Sequence, residues 1–303
     1  MQSLRSANGE WFGLLLLDKP EGVSSNRALQ RAKRLFGAAK AGHGGSLDPL
    51  ATGMLPVFFG AATGLAGHLL AARKTYRVTA KLGQATTTGD AEGEVTEDRS
   101  HEPEPEPERI AAALTAFTGE IEQVPPMFSA LKRDGVPLYR LARAGVVVER
   151  APRRVTIEAL TLEAYEWPAL TLTVRCSKGT YVRTLVEDVA KAAGTVAHVT
   201  ALRRLSIEPF AEDAMRTFAT LEAAAGEGQG ALERCLLAPD AALTRWPAVH
   251  LPSVEATRLA QGQAVPAPNS AAGRAKIYDG DGRFIAIGTV NDGSLRPDRV
   301  FHR

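Results

Sequence analysis

Apolar positions along the chain switch between two periods, and the switches mark out the elements. Residues 14–17 form a continuous apolar run closed by Asp18-Lys19-Pro20, which predicts a buried strand ending in a turn. Ala28, Leu29, Ala32, Leu35 and Phe36 then recur at helical spacing, with Ser24 or Ser25 as the cap and Gly37 as the stop. Residues 41–53 read as a glycine-rich loop holding Asp48-Pro49, 54–58 as a strand, 61–72 as a helix and the alternating 75–82 as a strand. Residues 110–117 predict a short helix, and 155–162 with 170–176 a pair of alternating strands. Thr180 is the expected cap of a helix that turns Val182, Leu185, Val186 and Val189 to one face and closes at Gly194. Residues 196–207 read as a further strand, interrupted at Arg203-Arg204. Residues 239–252 read as a linker. Beyond it, short strands at 275–278 and 284–289 flank Asp279-Gly280-Asp281-Gly282, and about 50 residues suffice for a small β-barrel.

Composition sets the class. The chain has 303 residues, which suggests two domains, and its 45% hydrophobic and 23% charged residues are those of an ordinary globular protein. Global disorder, collagen and coiled coil are excluded. Cys176 and Cys235 are far apart and in no CxxC, and the six histidines form no HxH or HExxH, so neither a disulfide framework nor a metal site is expected. The apolar run at 13–17 is too short for a signal-peptide core. Residues 49–72 are uncharged, but two prolines, four glycines and His68 argue against a membrane span and for a strand followed by a helix. The expected location is the cytoplasm.

Charge changes the picture more than its sum does. The net charge is +2, from 36 Lys and Arg against 34 Asp and Glu. Nine of those acids and one base lie between Asp90 and Glu108, so the other 284 residues carry 35 bases against 25 acids. The acidic stretch ends in alternating Pro and Glu, which favours an extended, solvated surface insertion. Residues 125–154 have the opposite character, with seven bases, two acids and interleaved Phe128 and Tyr139. Cations over phosphate and rings over bases suit RNA. Read by itself, the segment fits a solvated loop and helix equally well.

Asp48 is the carboxylate with the most unusual surroundings. It stands in Gly42-His-Gly-Gly-Ser-Leu-Asp-Pro-Leu-Ala-Thr-Gly-Met-Leu-Pro, a loop too long and too apolar for a simple Asp-Pro turn. Isolation among apolar residues raises a carboxylate's pKa, so ionisation at neutral pH calls for a cation, and Arg183 is a candidate. The glycines suggest a phosphate cradle, but the GxxxxGK[ST] and GxGxxG patterns are both missing.

This loop resembles the catalytic motif of the TruB-type pseudouridine synthases, and the resemblance extends in order along residues 11–240. Leu17-Asp-Lys-Pro-Glu-Gly-Val-Ser-Ser-Asn is similar to the family's first motif, Lys74-Thr-Tyr-Arg to its tyrosine strand, and Cys176-Ser-Lys-Gly-Thr-Tyr-Val-Arg-Thr-Leu to its arginine motif. Pro125-Pro-Met-Phe-Ser-Ala-Leu-Lys, with Leu138-Tyr-Arg-Leu-Ala-Arg-Ala-Gly, resembles its RNA-contacting insertion, and Leu202-Arg-Arg-Leu a substrate-pocket segment. The tail resembles a PUA domain more weakly.

The resemblance implies an α+β fold, with a mixed, mainly antiparallel central sheet and flanking helices over residues 1–248, an insertion at about 124–154, and a small PUA-like RNA-binding barrel over 249–303. It implies isomerisation of uridine to pseudouridine at position 55 in the T-loop of tRNA. Asp48 would be the nucleophile, Arg183 would keep it ionised, and Tyr76 would stack on the base and assist removal of the C5 proton. His43 would fill the gap left by the flipped nucleotide, Tyr181 and Leu202 would border the base, and Lys19 and Lys132 would hold phosphates. No cofactor is consumed, the T-arm of tRNA is the partner, and neither a membrane, an obligatory protein partner nor more than a monomer is expected. Two rivals are the same chemistry on another RNA and an RNA-binding module or chaperone without catalysis. Two positions depart from the family pattern. Gly44 replaces a threonine, which is expected to loosen the loop, and Thr87 replaces an aspartate while Asp90 remains.

Overall fold

A computed structural model describes residues 4–5, 8–267 and 271–301. In chain order the elements are β1 (Leu14–Lys19), α1 (Ser25–Leu35), β2 (Ala41–His43), β3 (Thr52–Phe59), α2 (Ala66–Leu70), β4 (Lys74–Leu82), β5 (Gln84–Thr86) and β6 (Val95–Asp98). They continue with α3 (Pro107–Ala116), β7 (Gly119–Gln123), β8 (Lys132–Arg133), β9 (Val136–Pro137), α4 (Leu138–Arg143), β10 (Arg153–Glu166), β11 (Ala169–Cys176), α5 (Val182–Ala192) and β12 (Ala197–Ile207). The chain ends with α6 (Phe218–Glu227), α7 (Gln229–Arg234), β13 (Ala248–His250), α8 (Ser253–Ala260), β14 (Val265–Pro266), β15 (Gly273–Tyr278), β16 (Phe284–Asn291) and β17 (Ser294–Val300). Among the described residues, no helix is long and apolar enough to cross a membrane.

Contacts divide the chain into two units. The first comprises Met1–Asp48, Met54–Leu70 and Asp213–Arg303. Residues 14–17 of its β1 are all leucine because this part of the strand is fully buried, beside β3 and under α1. The apolar stripe of α1 (Ala28, Leu29, Ala32) meets Leu15, Val57 and Phe59 in one core. Ser24 caps α1 by accepting from the Arg27 N–H at 3.2 Å. The C-terminal strands pair in the order β13-β15-β16-β17-β14, antiparallel except for β13 against β15. Leu259, Ile277, Ala286 and Leu295 fill the core of this sheet. This small sheet fits the expected PUA-like part. It rests on the N-terminal segment through Phe12, whose ring lies 6.4 Å from Phe284 and 5.3 Å from Phe301.

The second unit comprises Pro49–Gly53 and Ala71–Glu212. Its strands pair in the order β12-β4-β11-β10-β7, all antiparallel, and Thr52-Gly53 adds a parallel pairing against Arg203-Arg204. The central sheet is therefore mixed and mainly antiparallel, as expected. Helices α3 and α5 pack on it and on each other.

Several local readings change. The glycine-rich loop contains β2, which pairs with β3 from Ala41 opposite Phe59 to His43 opposite Val57. The helix expected at 61–72 is a 3-10 turn over Gly60–Leu65 followed by the short α2, because Gly60, Gly64 and Gly67 are poor helix formers. Thr180 does not cap α5: its hydroxyl donates to Ser177 O at 3.1 Å, and Tyr181 occupies the cap position. Strand β12 runs through Arg203-Arg204 with only a register shift before Ser206. The expected linker holds a 3-10 turn (Pro239–Leu243) and β13.

The acidic stretch is less uniform than its composition implies. Val95–Asp98 pairs with Gln84–Thr86 as a hairpin, and α3 begins inside the stretch at Pro107, a favoured first-turn residue. Pro105 is buried, and its carbonyl accepts from the Tyr165 hydroxyl at 2.7 Å. Asp90 is 3% exposed, so it does not belong to the solvated charge.

Candidate active site

In the first unit, the pairing of β2 with β3 sets the loop that carries Asp48 on a fixed frame. His43 is the last residue of β2 and is half-buried. Gly44 continues the pairing by donating to Pro56 O at 2.9 Å. A Cβ at position 44 would stand 3.3 Å from Ala66 O and 3.4 Å from Phe58 Cε2. The loop is therefore packed at Gly44, where the missing side chain was expected to loosen it. Leu47 is buried, and Asp48 beside it is half-buried. Lys19 is 0% exposed, and its ammonium donates to Pro20 O at 2.9 Å and Val23 O at 2.7 Å. These bonds fasten the turn after β1.

In the second unit, pairing register decides which side chains share a face, because residues directly opposite point the same way. Tyr76 stands opposite Val174 on one side and Arg204 on the other, and Val78 stands opposite Leu202. Tyr76, Leu202 and Arg204 therefore share one face of the sheet. Tyr76 is half-buried, while Leu202 and Arg204 are buried. Lys74, on the same face, is held down to about 8 by burial and then by the Arg204 guanidinium.

Helix α5 presents the other pair. Tyr181 is extended at its start (φ −99°, ψ 109°) with no side-chain cap on the helix, and Gln123 supplies the fixing contacts from β7. The Gln123 amide donates to Tyr181 O at 3.0 Å, and its oxygen accepts from the Tyr181 N–H at 2.8 Å. Gln123 is 1% exposed, and the Arg153 guanidinium lies 4.7 Å from the centre of the Tyr181 ring. Two residues further, Arg183 is 5% exposed and donates to Thr88 O at 2.6 Å and Phe128 O at 2.7 Å. It also pairs with Asp90 at 3.5 Å, and the Asp90 carboxylate accepts from the Thr88 hydroxyl at 2.5 Å and the Glu92 N–H at 3.1 Å. The bond to Phe128 fastens the base of the basic insertion to α5. Further out, Lys132 is exposed on the β8–β9 hairpin. Thr87 sits in the preceding turn, exchanging hydrogen bonds with Glu94.

Sequence reasoning missed Gln123, Arg204 and the pairing of Asp90. Gln123 carried a signal, being a polar residue just before Pro125-Pro126. Asp90 was hidden by its acidic neighbours in a sum over charges.

Glu187, on the same helix, is pushed up to about 7 by burial and then by Asp188, against the pull of Arg183. Between its ordinary value near 4.5 and 7, the folded state holds a proton that the unfolded state has lost. Stability therefore falls as pH rises through that window. Glu187→Gln should stabilise the protein at pH 8 by an amount on the order of 2 kcal/mol, seen as a higher melting temperature, and the gain should vanish by about pH 4. Thermal melts of both proteins across pH check this; a gain independent of pH would refute it.

Comparison with known proteins agrees along the whole chain. Residues 33–182 match the TruB family pseudouridylate synthase N-terminal domain, 183–244 the tRNA pseudouridylate synthase B C-terminal domain, and 247–301 the pseudouridine synthase II TruB C-terminal domain. A protein of Pseudomonas aeruginosa named tRNA pseudouridine synthase B is 50% identical over 291 residues, covering 95% of each chain. One of the same name from Burkholderia mallei is 49% identical over 304 residues, 98% of this chain and 96% of that one. The fold is that of the solved Cbf5-Nop10-Gar1 complex, with a TM-score of 0.73 at 22% identity over 99% of this chain and 89% of that one. A chain of an H/ACA RNP bound to a substrate RNA containing 2'-deoxyuridine matches with a TM-score of 0.72 at 21% identity, over 96% and 85%. With ordered agreement from the Asp48 loop to the C-terminal sheet, the chain belongs to the TruB family of pseudouridylate synthases.

Proposed function

We propose that the chain isomerises uridine to pseudouridine at position 55, in the T-loop of tRNA, acting as a monomer in the cytoplasm without a protein partner. The observation that carries this reading is identity near 50%, over nearly the full length, with proteins named for that activity. In this reading the target nucleotide leaves its stack at a cost of a few kcal/mol, and His43 takes its place. The Asp48 carboxylate attacks the sugar or the base, the N1–C1′ bond breaks, the detached uracil turns and rejoins C1′ through C5, and the bond to Asp48 is broken again, which frees the carboxylate. The C5 proton then leaves, and N1 gains one, so nothing is consumed. Tyr76 stacks on the base and assists the proton's removal. Tyr181 and Leu202 border the base, and we assign Arg183 the task of keeping the nucleophile ionised. The fastening of Arg183 by Asp90 and two carbonyls supports a fixed role in catalysis.

The test is incubation with an unmodified T-arm stem-loop followed by mapping of pseudouridine. Product at the T-loop position is expected, and its absence with a folded enzyme refutes the reading. Lys132, exposed on its hairpin, is assigned a phosphate. Lys132→Ala should weaken binding of the stem-loop by less than about tenfold and lower the slope of log affinity against log salt by about one. An unchanged salt slope would remove Lys132 from the interface.

A further inference from the structure

Two serines open α1, and they do different work. Ser24 spends its side chain on the helix, accepting from the Arg27 N–H. Ser25, 5% exposed, turns its hydroxyl the other way, across 22 residues of sequence, to Leu47. The Leu47 N–H donates to Ser25 Oγ at 2.7 Å, and Ser25 Oγ donates to Leu47 O at 2.9 Å. A hydroxyl has one proton to give and can accept; here a single backbone residue takes both. The two bonds fix the peptide planes on either side of Leu47, and the second plane carries the nitrogen of Asp48. The anchor at each end is firm. Leu47 is 8% exposed, and α1 is held by Ala28, Leu29 and Ala32 in the core of the first unit. Glycines precede Leu47 at 44 and 45, so the chain leading to Asp48 has little stiffness of its own.

We propose that Ser25 is the positioning residue for Asp48: its hydroxyl, clamped on both polar groups of Leu47, sets where the carboxylate stands. This rests on Asp48 being the nucleophile. A misplacement of about 1 Å at a reacting group costs on the order of 100-fold in rate, whereas RNA affinity comes mainly from phosphate contacts elsewhere. Losing the clamp therefore slows the chemical step and leaves binding alone.

The experiment uses the full chain and an unmodified T-arm stem-loop. Single-turnover rate, RNA dissociation constant and melting temperature are measured for Ser25→Ala, Ser25→Cys and Ser25→Thr, with Ser24→Ala as the control for loss of helix stability alone. Expected are a fall in rate of about 10- to 100-fold for Ala and Cys, dissociation constants within about threefold, and recovery of most of the rate in Thr, which keeps the hydroxyl. Ser24→Ala should melt earlier at an unchanged rate. If Ser25→Ala does not fold, the contrast between Cys and Thr decides. Rates within about threefold of wild type in folded variants lacking the hydroxyl overturn the proposal, as does a loss confined to stability or RNA affinity. If the wild-type protein makes no pseudouridine, the functional reading fails instead. If it does and Asp48→Asn does not, while Ser25→Ala works normally, the positioning role alone fails.

Discussion

Asp48→Asn should abolish turnover, by about 10⁴-fold or more, while affinity for the T-arm stem-loop stays within about tenfold of wild type. The substitution keeps size and shape, so the packed Leu47 beside it and the half-buried setting are undisturbed. What it removes is the charge and the nucleophilic oxygen. Binding survives because phosphate contacts to basic side chains supply most of the affinity of an RNA complex, and none of those is deleted. Replacing an anion with a neutral amide next to a polyanion offsets part of any lost contact. The chain also makes this variant chemically clean. Residue 49 is proline, which has no backbone N–H to attack the neighbouring amide, so slow reversion to Asp does not mimic residual activity. The measurement is single-turnover pseudouridine formation together with an RNA titration. Turnover above about 1% of wild type would take Asp48 out of the nucleophile role, and a collapse of binding would assign it to RNA contact.

The candidate site was legible in the sequence to different depths, and the differences have physical causes. The strand and helix that start the chain were readable because a fully buried stretch of strand must be apolar, and a helix on a core must show its stripe. β2 was not readable, because a strand of Ala41-Gly42-His43 has no alternation and takes its pairing from β3. Thr180 looked like a cap because threonine often is one, but tertiary contacts had the stronger claim: Gln123, far off in sequence, holds the residue that starts α5. Lys19 shows the limit of charge counting, since its burial and its two carbonyl partners cannot be read from a charge. Asp90 shows the same limit with the sign reversed. It was summed into a solvated acidic stretch, yet it pairs with the buried Arg183. The serine pair was read as one cap with two candidates, and the second hydroxyl had no visible task until the fold brought Leu47 to it.

A large loss of stability from a single methyl group is expected at Gly53. This residue has φ +95°, and a Cβ placed on it would stand 2.3 Å from Arg204 O and 3.0 Å from Arg204 C and N. The obstacle is backbone in a strand, which cannot swing aside as a side chain can. β12 is held along its length by β4, and Thr52-Gly53 is the short parallel pairing that lies against Arg203-Arg204. Gly53→Ala therefore combines left-handed strain with an overlap that only a shift of one strand relieves, about 3 kcal/mol or more together. Gly135 separates the two costs. It also has positive φ, +82°, but a Cβ there meets nothing within 4 Å, so Gly135→Ala costs only the strain, about 1 kcal/mol. The melting temperature should fall by roughly 6 °C or more for Gly53→Ala and by roughly 2–4 °C for Gly135→Ala. Because Gly53 lies five residues after Asp48, the strand shift that relieves the clash also disturbs the end of the loop that carries Asp48. Its rate should fall even well below the melting temperature, whereas that of Gly135→Ala tracks the folded fraction. Equal melting temperatures for the two variants would show that β3 and β12 separate at no cost, and that the parallel pairing does not hold the chain beyond Asp48.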